Sequence, residues 1–294
     1  MLCFVKSEPP RPFSFIDWTS LSDPFEDARF ESLQSFMLVA MFAHCGVLFR
    51  DDGELGWYAR AIFGPIFLLS ALVGLRYPVA KSRCVMVTLG VTSLWLVIAW
   101  PNFANHLFLE WSVLLFLTLC RQDKKLGLNG LRWLVATIFF YTGFQKFLMG
   151  QYFEGQFFLV RVATSEKFRV VFELVLPEEE VARLVEMGAG FGTGPYETSS
   201  TLFLAMSNAV WIGEMGAAIL LLFPKWRKLA LFAGIALVLG IEVGARELVF
   251  GCVFTILLLI FYQGRNAIAL WPAFAAVQIL SVASRLLFPD LRFN

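Results

Sequence analysis

The sequence predicts an all-α integral membrane protein, a bundle of about nine transmembrane helices with two short interfacial helices in one long loop. Three observations lead there. Of 294 residues, 58% are hydrophobic and only 16% are charged, with a mean hydropathy of +0.69, whereas soluble domains carry about 25% charged residues. The charges are bunched, so that 84–109, 248–264 and 266–284 hold no Asp, Glu, Lys or Arg, and each run is near or above the ~18 residues that mark a crossing segment. The basic residues, finally, gather in alternate loops.

Residues 1–31 read as an N-terminal cytoplasmic arm. Pro9, Pro10 and Pro12 oppose a helix there, and MLCFVKSEPPRPFSFIDW has no signal-type apolar core before the charged run from Asp23 to Glu31. Residues 32–288 read as a single transmembrane domain without a separate soluble domain or internal repeat. Uncharged runs bounded by charge, Pro or Gly place segments at 32–49, 58–75, 84–100, 104–120, 132–149, 200–223, 227–244, 247–263 and 267–287. In hydrocarbon every backbone amide needs a partner inside its own segment or a closed barrel, and runs of this length suit helices rather than alternating strands of about ten residues.

Four loops carry the basic residues: Arg76, Lys81 and Arg83; Arg121, Lys124, Lys125 and Arg132; Lys225, Arg227 and Lys228; and Arg265. All four fall on one side, which the positive-inside rule makes cytoplasmic. The opposite loops are neutral or acidic, with Asp51, Asp52 and Glu54 in the first and an acidic excess in 150–199. The N-terminus is therefore expected inside and the C-terminus outside, and the compact loops suit a bacterial inner membrane. Within 150–199, SEKFRVVFELVLP and EEEVARLVEMG space apolar residues at helical intervals, which predicts two amphipathic helices at the outer surface. GAGFGTGP then forms a turn into the sixth segment.

A net charge of +1 with no basic tract argues against nucleic acid as a partner; membrane lipid and a hydrophobic small-molecule or peptide substrate are the expected ones. The five cysteines are scattered without a CxxC pair, so neither a disulfide framework nor a zinc site is indicated, and no metal is expected.

A charge at a helix centre costs about 2.5–3.5 kcal/mol on insertion scales, so ionisable residues inside the apolar segments are functional candidates. Lys146 lies about 5 Å from the outer end of the fifth segment, where it either snorkels to the headgroups or serves chemistry. Glu214 lies about 20 Å into the sixth segment, too deep to snorkel, and is either a hydrogen-bonding link between helices or catalytic. His106 and Glu110 are spaced to share a helical face, as interfacial anchors or as a proton-transfer pair. Glu242 and Arg246 have the same spacing and read as an ion pair at a helix end.

The stretch NHLFLEWSVLLFLTLC (105–120), followed by LRWLVATIFFYTGFQKFLMGQYFEGQFF (131–158), resembles the membrane domain of vitamin K-dependent gamma-carboxylases and the related horizontally transferred transmembrane (HTTM) proteins. The resemblance centres on Tyr141, Gly143 and Lys146, and a second block runs from Glu214 through ILLLFPKWRKLALF. It extends loosely over 25–265, and DoxX-type membrane proteins share a similar Gly and Lys pattern. The resemblance implies reduced vitamin K or another quinol as cofactor and Lys146 as the base that deprotonates it. His106, Glu110 and Glu214 would assist proton movement, and Asn105, Tyr141 and Gly143 would contribute to cofactor binding. Two departures stand out: the chain ends at Asn294 without the β-rich extramembrane region of the carboxylases, and Glu242 stands where relatives often carry a different polar residue or histidine. Carboxylation of a propeptide-bearing protein is accordingly not expected. The alternatives are a non-catalytic membrane scaffold or assembly protein and a proton-coupled transporter, the latter disfavoured because the halves show no paired broken helices.

Overall fold

The computed structural model describes residues 25–47, 59–100, 105–189, 196–245, 248–262 and 270–287, and these hold twelve α-helices and no β-strand. The first, α1 (Glu26–Val47), is the hub. Phe36, Met37, Leu38, Ala40, Met41, Ala43 and Cys45 leave no polar face along its middle, and all are buried. A helix that is apolar all round must be covered all round. The cover comes from α2 (Gly64–Arg76), α3 (Pro78–Ala99), α4 (Asn105–Leu119), α5 (Lys124–Met149), α11 (Leu248–Leu259) and α12 (Trp271–Leu287). Because α1 starts at Glu26, the end of the expected arm belongs to this central helix, with Glu26, Arg29 and Phe30 buried.

Local chemistry sets the element ends. A π-helical turn, Ala59–Phe63, leads into α2, which stops just before Pro78, the first residue of α3; a proline is tolerated in a first turn but disfavours helix in the residue before it. Asp123 caps α5 by accepting from the Leu126 amide at 2.9 Å. At the other end of α5, Gly150 adopts φ 69° and donates its N–H to the Phe147 carbonyl. A second layer is formed by α9 (Thr201–Leu222), packed along α5, and α10 (Arg227–Ala245), packed on α9.

Each of the nine segments expected from the sequence falls on a helix: α1–α5 and α9–α12. Among the described residues, two stretches, Pro78–Ile98 and Thr201–Leu222, are long and apolar enough to cross a membrane; Ala61–Arg76, His106–Leu119, Phe250–Leu259 and Trp271–Leu280 are shorter apolar helices. Large apolar side chains stand exposed around the bundle, among them Leu69, Val97, Leu148, Phe232 and Leu280. A few charges lie inside: fully buried Arg132 donates to the Ile260 carbonyl at 3.2 Å and to Asn129 Oδ1 at 2.6 Å, with Glu26 Oε1 at 3.6 Å. Cys45, Cys84, Cys120 and Cys252 form no disulfide.

The 150–199 connection departs from expectation, with three short helices rather than two: α6 (Gln156–Thr164), α7 (Glu166–Phe172) and α8 (Glu178–Ala189). QFFLVRVAT, which forms the additional helix α6, follows Gly150 and Gly155, whose φ of 69° and 72° turn the chain between α5 and α6. The three helices enclose a small core of their own from Leu159, Val162, Phe172, Leu176, Val181 and Leu184, closed by Phe203 from the first turn of α9. This cap sits at the end of the bundle where α1, α3 and α5 finish and α4 and α9 begin.

Candidate functional site

Lys146 and Glu214 meet between α5 and α9. Lys146 Nζ lies 2.5 Å from Glu214 Oε1 and 2.6 Å from Oε2, so the ammonium is held on both carboxylate oxygens. The side chains are 22% and 5% exposed. Gly143, one turn before Lys146, makes the approach possible: a Cβ there would fall 2.9 Å from both the Met215 nitrogen and the Trp211 oxygen, so the two backbones touch where a side chain would hold them apart. Its place is in helix packing.

The depth of Glu214 also resolves. Counted from the start of α9 it is about 20 Å along the axis, yet Lys146 is only about 5 Å from the end of α5. Both statements hold because the first turns of α9 rise beyond α5 into the cap. Ser207 Oγ donates to the Tyr152 carbonyl at 2.8 Å and Asn208 Nδ2 to the Phe153 carbonyl at 3.0 Å, both just past the end of α5. Glu214 is thus near the capped end of the bundle, level with Lys146.

Tyr152, absent from the sequence-derived set, completes the centre. Its ring faces Lys146 Nζ at 5.7 Å, and its other neighbours are Phe157 at 5.0 Å and Phe158 at 5.4 Å. Burial, and secondarily the Glu214 carboxylate, raise the Tyr152 phenol above its ordinary range, so it stays protonated. Beyond Phe157 lies a half-open cavity of about 510 Å³ lined by Gln151, Gln156, Phe157, Val160, Arg161, Tyr196 and Glu197, within the ~300–1,000 Å³ typical of small-molecule sites. Tyr141 points elsewhere, 63% exposed on the outside of α5.

The second cluster joins α1, α3, α4 and α11. Glu110, which shares a helical face with His106, places its Oε2 2.5 Å from Nδ1 of a different histidine, His44, on the last turn of α1. The pair is 6% and 1% exposed. His106 stands beside it, its ring 5.3 Å from that of His44, with Trp95 on the far side of His44 at 5.4 Å and Phe250 beyond His106 at 5.9 Å. His44 was overlooked because it ends an otherwise uncharged run, but a sequence holding 2 histidines offers the signal. Asn105 is the first residue of α4.

Glu242 packs its carboxylate onto α11, where a Cβ on Gly251 would collide with it; the Arg246 expected to pair with it lies outside the described residues. No group of metal-ligating side chains occurs among the described residues. No protein-family model matches the chain, and no curated protein or solved structure is significantly similar to it.

Proposed function

We propose that this is a multi-pass membrane protein with about nine spans, its N-terminus cytoplasmic and its C-terminus outside, and that Lys146 and Glu214 form a proton-handling centre acting on a hydrophobic hydroxylic substrate of quinol type. The observation that carries the enzymatic reading is the seating of the Lys146 ammonium on both oxygens of a buried carboxylate. Ionisable groups in apolar surroundings are expensive to keep and mark proton or substrate pathways by default. The apolar exterior, the two helices that meet the length and composition of a span, and the segregation of basic loops support the membrane placement. A bacterial inner membrane suits the compact loops.

The chemistry follows from the pair. When Lys146 passes one proton to Glu214, the carboxylate becomes a carboxylic acid and the ammonium becomes a neutral amine with a free lone pair. That amine takes the proton of a substrate hydroxyl and returns to ammonium, and the oxyanion forms beside a fresh positive charge. Tyr152, kept protonated, can offer its hydroxyl as a hydrogen-bond donor. A quinol ring fits the neighbouring cavity by chemistry: the Gln151 and Gln156 amides suit its oxygens, and the Phe157 and Tyr196 rings suit its face. A lipophilic quinol would supply reducing equivalents there. This agrees with the role that the carboxylase resemblance implies for Lys146.

A second reading rests on the same contact. The pair and the Gly143 approach also clamp α5 to α9, as they would in a scaffold that does no chemistry. Oxidation by dissolved oxygen of added reduced vitamin K, menaquinol or ubiquinol, catalysed by protein in nanodiscs, separates the two, comparing wild type with Lys146→Ala and the exchanged pair Lys146→Glu/Glu214→Lys. The enzyme reading expects wild-type oxidation, a loss of at least about 100-fold in Lys146→Ala, and an exchanged pair that recovers thermal stability without recovering activity. Absence of binding and oxidation with all three quinols, in protein whose stability depends on the pair, would establish the clamp instead.

A further inference from the structure

The chain contains 2 histidines, 62 positions apart, and the fold brings their rings side by side, tilted at 53°. One comes from the end of the central helix and the other from the start of α4, and neither belongs to the α5–α9 centre. The cluster they make is graded in exposure: His106 is partly exposed at the first turn of α4, His44 is buried behind it, and Glu110, one turn deeper on α4, is almost fully enclosed. His44 spends one ring nitrogen on Glu110 at 2.5 Å, which leaves Nε2 as its second proton site. A carboxylate that fixes one imidazole nitrogen orients the other for proton exchange. The ring separation of 5.3 Å brings the imidazoles near enough for transfer directly or through one water. Trp95 packs against the His44 ring and Phe250 against the His106 ring.

A purely structural role fits this arrangement poorly. A buried ion pair is commonly no better for stability than apolar residues of the same volume, and a second imidazole is not needed to satisfy the first.

We propose that His106, His44 and Glu110 form a proton-conducting chain that takes up a proton at the capped end of the bundle and delivers it to the buried Glu110 carboxylate. The step balances without a co-reactant. Protonated His106 gives its proton to Nε2 of His44 as His44 gives its Nδ1 proton to Glu110. Both imidazoles end neutral, His44 with its proton on Nε2, and Glu110 ends as a carboxylic acid. Nearest the cluster, the described ionisable groups on the packed elements are Cys45, next to His44 on α1, Cys252 of α11, and Glu242 of α10, seated on α11 at Gly251; Glu26, Asp27, Arg29 and Glu31 of α1 and Lys81, Arg83 and Cys84 of α3 lie toward the other end of those helices. This chain is independent of Lys146 and Glu214, so it stands whether or not those residues perform chemistry.

Two histidines make a clean spectroscopic test. In ¹⁵N-histidine-labelled full-length protein in nanodiscs, the ring nitrogens report tautomer and charge, while the carboxyl infrared band removed by Glu110→Gln reports Glu110. The expected results are a His44 tautomer that switches with pH, a protonated Glu110 band that appears with the switch, and exchange of that band into D₂O slowed at least tenfold by His106→Gln. Because His44→Ala risks misfolding, His106→Gln, at the partly exposed position, carries the kinetic test. A His44 locked in one tautomer across the imidazole range, or a Glu110 band that exchanges equally fast without His106, overturns the proposal.

Discussion

A Cβ at Gly143 would meet backbone atoms of α9 on two sides, the Met215 nitrogen and the Trp211 oxygen, both at 2.9 Å. Backbone cannot rotate away as a side chain can, so Gly143→Ala must push α5 from α9 and lengthen the Lys146–Glu214 contact. The expected cost is about 1–3 kcal/mol, as for other overpacked sites. Gly216, two residues beyond Glu214, has nothing within 4 Å of its Cβ position, so Gly216→Ala is expected to be neutral or to stabilise by up to about 1 kcal/mol through helix propensity alone. Thermal unfolding of both variants in the same detergent checks the contrast, and equal midpoints would remove close packing as the reason the pair forms. At this scale the sequence was legible in part. Lys146 and Glu214 announce themselves as charges in apolar runs, but their partnership was hidden because each depth was counted from the end of its own helix. For Glu110, spacing showed the face it shares with His106 but not His44, which arrives from another helix.

Among elements, the most informative is the cap of α6, α7 and α8. Helices of this length are marginal alone in water, so their order depends on the small core around Leu159, Phe172, Leu184 and Phe203. Leu184→Asp places a carboxylate where no partner exists among the core residues and should release the cap, at a cost of several kcal/mol. Limited proteolysis is expected to cut 156–189 at least tenfold faster in this variant while the circular dichroism of the bundle is mostly retained. An unchanged cutting rate would show that the cap is held by its connections rather than by its core. The sequence revealed α8 well, since Glu178, Glu179 and Glu180 open it at the positive end of the helix dipole and its apolar positions follow a helical period. For α6 the sequence offered only a short apolar stretch broken by Arg161 after Gly150 and Gly155, without the repeated charge spacing that marks α8. For α1 the difficulty was of another kind. A run without a polar face says that a helix is covered, and both lipid and neighbouring helices provide cover; only the packing shows that six other helices do so here.

Among the described residues, several ionisable groups lie inside the bundle while many large apolar side chains face outward, beside an apolar core and exposed loop charges. Buried Arg132 and the His44–Glu110 and Lys146–Glu214 pairs lie within, while leucine, valine and phenylalanine face outward. Exposed apolar area on this scale must be covered by something; in the membrane reading proposed above that cover is hydrocarbon, which would also account for the alternation of basic and acidic loops. The placement of the loops is testable without any functional assay. Gln122, in the turn between α4 and α5, and Glu179, in the first turn of α8, are both exposed and lie at opposite ends of the bundle. Single-cysteine versions, Gln122→Cys and Glu179→Cys, placed in a chain whose native cysteines are replaced, should behave oppositely toward a membrane-impermeant maleimide. In intact cells Glu179→Cys is expected to label at once and Gln122→Cys only after permeabilisation. The reverse pattern would turn the protein over and move the Lys146 centre, the cap and the histidine chain to the cytoplasmic face. Equal labelling of both sites in sealed cells would mean that the chain between them does not cross the bilayer, and the apolar exterior would then need a protein partner to cover it.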